Sequence, residues 1–229
     1  MFYQPGTTPH NLPHDPFKAC VVPRPIGWIS TKSHDGHANL APYSQFTNLT
    51  FDPPYVMFSA NQTPSQTRKD TVINAETTGH FVWNLATYDL REAVNISAEQ
   101  VPYGTDEFAR AGLEKEDANL MDVPMVKDSP VKFECVYHST IRLPANPPMG
   151  TVDVVIGKVV GVHVDERVLT DGKIDVRKTK PIARCGYFEY AVVQDTFEMV
   201  IPGGKEILYG LEGSAKKNAE MPRLQPRAE

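Results

Sequence analysis

Two runs of alternating residues fill most of the second half of the chain, and they restrict its fold more than any other feature. In residues 131–143 one face carries Val131, Phe133, Cys135, Tyr137, Ser139, Ile141 and Leu143. The other carries Lys132, Glu134, His138, Thr140 and Arg142, broken only by Val136. In residues 152–164, Val152, Val154, Ile156, Val160, Val162 and Val164 keep one register. Alternation of this length is a strand pattern. Gly157 and Gly161 lie on the opposite face of the second run, where glycine marks a bulge or a bend that lets a sheet close. A parallel α/β sheet needs a helix between most strands, and this half supplies none. Many short strands with few helices suggest a closed or partly closed barrel.

The first half adds strands of the same kind. In residues 26–31 Ile26, Trp28 and Ser30 point one way and Gly27, Ile29 and Thr31 the other, which reads as a strand with one half-buried face. Asp35-Gly36 is a tight-turn signal, and residues 39–44 form the returning strand. After Asp52-Pro53-Pro54, residues 55–59 read as a third strand. Thr63-Pro64-Ser65-Gln66 forms a turn. It leads to Arg68-Lys69-Asp70-Thr71 and a short helix, with Asp70 as its cap and Gly79 at the C′ position. Residues 80–86 (HFVWNLA) form an apolar strand.

A second helix is expected over residues 90–99, capped by Thr87 or Asp89, and a helical turn over 106–111. Residues 18–22 read as a short opening strand, 114–130 as mostly irregular, Asp171-Gly172-Lys173 as a turn, and 186–193 as the last strand. This gives three parts. An N-terminal arm spans 1–16, one domain spans 17–200, and a polar C-terminal tail spans 201–229. The arm is either a loose terminus or a segment packed on a partner subunit.

Composition excludes several function classes. The formal net charge is −5 over 229 residues, with no basic run, so neither a nucleic-acid surface nor an anionic membrane is an expected partner. No apolar run reaches the length of a spanning helix, and the first residues lack the features of a secretory signal. Cys20, Cys135 and Cys185 show no CxxC spacing. A disulfide framework or zinc site is therefore not expected, and a reducing cytoplasm is. No histidine pair has metal-ligand spacing, so no metal is expected. There is no GxSxG elbow, P-loop or GxGxxG after a strand.

The chemistry concentrates in Arg68, Lys69 and Thr71. A basic pair and a hydroxyl at a helix start suit an anionic phosphate, with Arg as a bidentate fork and Lys as a point charge. A solvated basic turn before a helix cap explains the same residues. Trp28 suits a core position as well as a ligand wall. Asn84, alone in an apolar strand, needs partners if buried. These are a ligand, a subunit interface or backbone.

PRPIGWIST, NLAPYSQF, DPPYVMFSA and RKDT, in this order and with matching gaps, resemble the flavin reductase-like FMN-binding family. The resemblance spans residues 17–193. It implies a mainly β fold, the FMN-binding split β-barrel of Greek-key type with short inserted helices. It also implies a homodimer with FMN near the subunit interface. By the same resemblance the phosphate falls to Arg68, Lys69 and Thr71, and the polar edge of the ring to Ser30 and Thr31, with Trp28 nearby. Ala41 would leave room for the flat ring and Ser44 would donate to it. Ser59 and Asn61 would meet ribityl hydroxyls or phosphate, and Asn95 and Ser97 would lie near the flavin.

The implied activity is an FMN-binding oxidoreductase of the flavin reductase type. NADH or NADPH would be co-substrate, and a flavin, a partner oxygenase or a redox protein would accept the electrons. Hydride transfer to flavin demands no general acid or base, so no catalytic residue is expected. Two other readings stay open. One is a flavoredoxin-like FMN electron carrier with a protein partner, the other a non-enzymatic flavin-binding dimer.

Overall fold

The computed structural model describes residues 1–62, 67–148 and 150–199. The chain divides into two units, Met1–Asp195 and Thr196–Glu229, and the fold below is that of the first. The expected turn at Thr63-Pro64-Ser65-Gln66 and the expected tail over 201–229 lie outside the described residues.

Seven strands build one antiparallel sheet. They are β1 (Gly27–Lys32), β2 (Ala38–Tyr43), β3 (Phe46–Phe51), β4 (Pro54–Asn61), β5 (His80–Asn84), β6 (Val131–Pro144) and β7 (Thr151–Val164). Helix α1 (Asp70–Thr78) joins β4 to β5, and α2 (Arg91–Ile96) and α3 (Glu107–Arg110) lie between β5 and β6. The order across the sheet is β2-β1-β5-β6-β7-β4-β3. All seven strands send side chains into one apolar cluster, among them Ile29, Tyr43, Phe46, Phe58, Phe81, Cys135 and Val155. A flat sheet has two faces and cannot do this, so the sheet curls around that cluster as a barrel wall.

The β6–β7 hairpin is the longest pairing, and its register slips between Ile156 and Gly157 and between Val159 and Gly161. These are the glycines that the sequence marks as bulges. At Gly157 an added Cβ would sit 2.3 Å from Cζ of Phe81. The missing side chain is what lets the fully buried Phe81 ring lie against the bend. Stacked and tilted rings continue the core, with Phe46 on Trp83 at 5.2 Å and Trp83 on Phe133 at 4.5 Å between centroids.

Several sequence expectations are corrected. β1 is buried on both faces, because α2, α3 and a short strand, Pro124–Val126, cover the side that carries Trp28. A second cluster with Ile26, Trp28, Leu40, Val94, Phe108, Val126 and Ile182 fills that layer. β3 has no counterpart in the sequence pattern. Its residues beyond Phe46 and Thr47 are exposed, so it has no alternating burial to read. Residues 114–130 hold a small hairpin, Lys115–Asp117 with Pro124–Val126. Its strands are too short for a period to show. The opening strand is instead one helical turn, Phe17–Cys20.

Candidate functional site

A cleft of about 1020 Å³ opens where α1 begins. That is at the upper end of the roughly 300–1,000 Å³ typical of small-molecule sites. One wall is β2, through Asn39, Ala41, Pro42 and Tyr43. The floor is the start of α1, with Arg68, Lys69, Asp70 and Thr71. The far wall is the segment from Ser97 to Tyr103, together with Glu107 at the start of α3.

Lys69 is the N-cap of α1, in extended conformation with φ −69 and ψ 142, and no side chain caps the helix. Its carbonyl receives the N–H groups of Val72 and Ile73 at 3.0 and 3.1 Å. Asp70 is therefore the first helical residue rather than the cap. Its carboxyl is held above the usual carboxylate range by burial, which outweighs its contacts with the Gly104 N–H and its own N–H.

Lys69 is half-buried, and among the described residues no carboxylate lies within ion-pair distance of its ammonium. Burial pulls its pKa below the usual lysine value, with Asp70 opposing. A helix N-terminus already carries partial positive charge, so a cation there opposes the dipole. A partly desolvated cation with no ion pair in such a place suits an anion that binds from the cleft.

Arg68 behaves differently. Its Nη2 lies 2.7 Å from Glu76 Oε1 and its Nε 3.2 Å from Asp153 Oδ2. Arg142 meets the same two carboxylates, with Nη2 2.9 Å from Glu76 Oε1 and Nε 3.2 Å from Asp153 Oδ1. Burial works against the Arg68 charge, but Glu76 and Asp153 raise its pKa on balance. The guanidinium read from sequence as a phosphate fork also braces α1 against the β6–β7 hairpin. Replacing it leaves Asp153, 1% exposed, with Arg142 alone.

Removing one member of a buried pair costs roughly 3–5 kcal/mol. Arg68 is 28% exposed, so solvent screening reduces this to about 1–3 kcal/mol. The Arg68→Ala variant should show that loss in a urea titration and weaken ligand binding less than Lys69→Ala. A stability change within about 0.5 kcal/mol would contradict the brace.

Behind the wall runs a polar network. Asn39 Nδ2 donates to Thr71 Oγ1 at 2.8 Å and to Thr31 Oγ1 at 3.1 Å. Asn74 Nδ2 donates to the same Thr31 oxygen at 3.1 Å, and Tyr103 donates its hydroxyl to Asn74 Oδ1 at 3.1 Å. Thr31 is thus the hub that fixes Thr71 and Tyr103 at the cleft. The Tyr43 hydroxyl lies beside Thr71, and burial raises its pKa.

The residues expected to bind the cofactor therefore separate. Ala41, Arg68, Lys69 and Thr71 line the cleft. Trp28, Ser30 and Thr31 are fully buried, with side chains turned into the fold. Trp28 Nε1 donates to Ser97 Oγ at 2.9 Å, and Ser97 itself lines the cleft. Ser30 Oγ receives Asn84 Nδ2 at 3.1 Å. Asn84 is satisfied internally, since it also donates to the Trp28 carbonyl and accepts the Val126 N–H. Ser44 is half-buried beside Gln45. Ser59 and Asn61 sit on β4, and none of these three is in the cleft wall. Sequence reasoning missed Asp70, Tyr103 and Glu107 as cleft residues. Asp70 and Glu107 carry the ordinary helix-start composition of acidic first turns, which hides them.

The match with known proteins now decides the family. The flavin reductase like domain covers residues 19–180 of the chain. The chain belongs to the flavin reductase-like family. An uncharacterized protein of Aquifex aeolicus is 35% identical over 167 residues, covering 72% of this chain and 82% of that one. The crystal structure of nitrilotriacetate monooxygenase component B from Bacillus cereus superposes with a TM-score of 0.79 at 29% identity, covering 87% of this chain and 98% of that one. Flavoredoxin of Desulfovibrio vulgaris (Miyazaki F) shares the fold, with a TM-score of 0.67 at 21% identity over 81% of this chain and 94% of that one. In this family setting the mainly β barrel is a split barrel of the flavin reductase-like type.

Proposed function

We propose that the chain is an FMN-dependent oxidoreductase that takes electrons from NADH or NADPH and passes them to a flavin or another acceptor. The observation that carries this reading is Lys69, a half-buried cation at a helix N-terminus, facing a cleft large enough for a mononucleotide. Bound FMN would supply the redox chemistry through its ring. The chain's own residues bind and orient. Lys69 and Thr71 hold the phosphate, with the first N–H groups of α1 adding donors that have no helical carbonyl to bond. Ala41 and Pro42 offer a flat wall without a long side chain. The Ser97–Tyr103 segment, held by Trp28 and Asn74, faces them across the cleft and excludes water.

A flavin-binding domain over residues 17–200 belongs to this proposal, and exposed Ile141, Leu143 and Val162 on the long hairpin support a homodimer. The likeness to a monooxygenase component supports an oxygenase as the electron acceptor. Three free cysteines, with Cys135 buried, support a reducing cytoplasm. Among the described residues no helix is long and apolar enough to cross a membrane, and no cluster could hold a metal ion.

The test is direct. Purified protein, FMN and either NADH or NADPH should show loss of the nicotinamide absorbance. Flavin binding without consumption of either nucleotide would reject the reductase reading. Rapid reduction by a redox protein instead would make the chain a carrier.

A further inference from the structure

The anion seat at α1 carries more negative charge than positive. Glu107 is 5% exposed, lines the cleft, and accepts the Leu40 N–H at 3.0 Å through Oε2. Leu40 belongs to the sheet-edge strand β2, so this bond closes the edge and fixes the carboxyl beside the cleft. Among the described residues no cation lies within ion-pair distance of Glu107. The groups that face it are Asp70 at the start of α1, Asp106 on its own element and Tyr43 on β2. The cations on and near these elements are engaged or elsewhere, since Arg110 of α3 pairs with Glu99, Lys115 pairs with Asp106 and Lys69 stands beside Asp70. A buried carboxyl with no cation is costly as an anion. A dianionic ligand arriving beside Asp70 and Glu107 makes it costlier still.

We propose that Glu107 makes the cleft a proton-linked site for phosphate monoesters: the ligand binds with uptake of a proton from solvent, and Glu107 meets it as a neutral acid able to donate a hydrogen bond. This rests on the flavin reading for the identity of the ligand, FMN, but not for the linkage itself. Burial holds Glu107 above the ordinary carboxylate range against the Leu40 N–H and its own N–H, which favour the anion, and Asp70 and Asp106 add to the rise. A bound dianion pushes the same way. The complex therefore binds more protons than the free protein, and affinity falls as pH rises. The second ionisation of the phosphate, near pH 6, acts in the opposite sense. It is common to wild type and variants and cancels when they are compared at one pH.

The variant is Glu107→Gln, whose amide oxygen keeps the acceptor for Leu40 N–H while losing the titration. The readouts are flavin fluorescence quenching and calorimetric titration in buffers of different ionisation enthalpy, which counts protons. Wild type should take up a fraction of a proton with FMN and none with riboflavin, which has no phosphate. E107Q should take up less. Its affinity for FMN relative to wild type should rise roughly threefold or more between about pH 5.5 and about pH 7.5.

Equal uptake by E107Q, no uptake by wild type, or equal uptake with riboflavin would each overturn the proposal. Should E107Q fail to fold, Glu107→Ala, which also lacks the titrating group, is measured in its place, and proton uptake equal to wild type overturns the proposal. If FMN does not bind at all, the flavin reading falls and inorganic phosphate becomes the probe. Phosphate binding with proton uptake that E107Q reduces sustains the linked anion site, and no phosphate binding, or equal uptake by E107Q, overturns it.

Discussion

Replacing Lys69 by Ala should weaken FMN binding by about one to two orders of magnitude and leave the fold intact. A hydrogen bond to a charged group contributes about 1.5–3 kcal/mol, and about 1.4 kcal/mol corresponds to tenfold in affinity. The loss should be specific to the phosphate. Riboflavin should bind wild type and K69A with nearly equal affinity, because it presents nothing to the ammonium. Stability should be unchanged or slightly higher. Lys69 makes no ion pair among the described residues, its charge is partly desolvated, and it opposes the dipole of α1. A residue that costs stability where it stands is kept for another reason. Fluorescence titration gives the affinities, and thermal unfolding gives the stability. Equal losses for FMN and riboflavin, or none for FMN, would remove Lys69 from the phosphate site.

Gly157→Ala should be among the most destabilising single-methyl additions in the molecule. The new Cβ would stand 2.3 Å from Cζ and 2.4 Å from Cε1 of Phe81, closer than carbon atoms approach. Phe81 has no exposed surface and packs edge-on to Phe58 at 5.5 Å, so its ring has no open space to move into. Overpacking typically costs 1–3 kcal/mol, occasionally more, and this contact should cost about 3 kcal/mol. That is a large part of the roughly 5–15 kcal/mol that stabilises a typical domain. A double variant with Phe81→Leu should cost clearly less than the sum of the singles, since the two positions share one contact. A loss under about 1 kcal/mol for G157A, or strict additivity in the double variant, would mean that the bend in β7 relaxes freely.

The long hairpin was legible because alternation over two runs is a pattern that only strands satisfy, and its glycines mark the bulges where they occur. What failed did so for identifiable reasons. The strand Phe46–Phe51 is largely exposed, and the hairpin of Lys115–Asp117 with Pro124–Val126 is short, so neither has a period. β1 reads as half-buried because its own sequence does not show that α2 and α3 will cover its second face.

The site was legible as a place and less so as a set of roles. RKDT marks the start of α1 and one side of the cleft. Whether Arg68 is a fork alone or also a brace depends on Glu76, Asp153 and Arg142, of which the last two are far away in sequence. Asn84 illustrates the same limit. Its isolation in HFVWNLA flags a buried amide, but its partners Trp28, Ser30 and Val126 come from other strands.

The most direct measurement is a crystal structure grown with FMN. Phosphate density is expected within hydrogen-bond reach of Lys69 Nζ and Thr71 Oγ1, with the flavin ring against Ala41 and Pro42. Phosphate bound away from the start of α1, or a cleft that stays closed to FMN at saturating concentration, would contradict the flavin site.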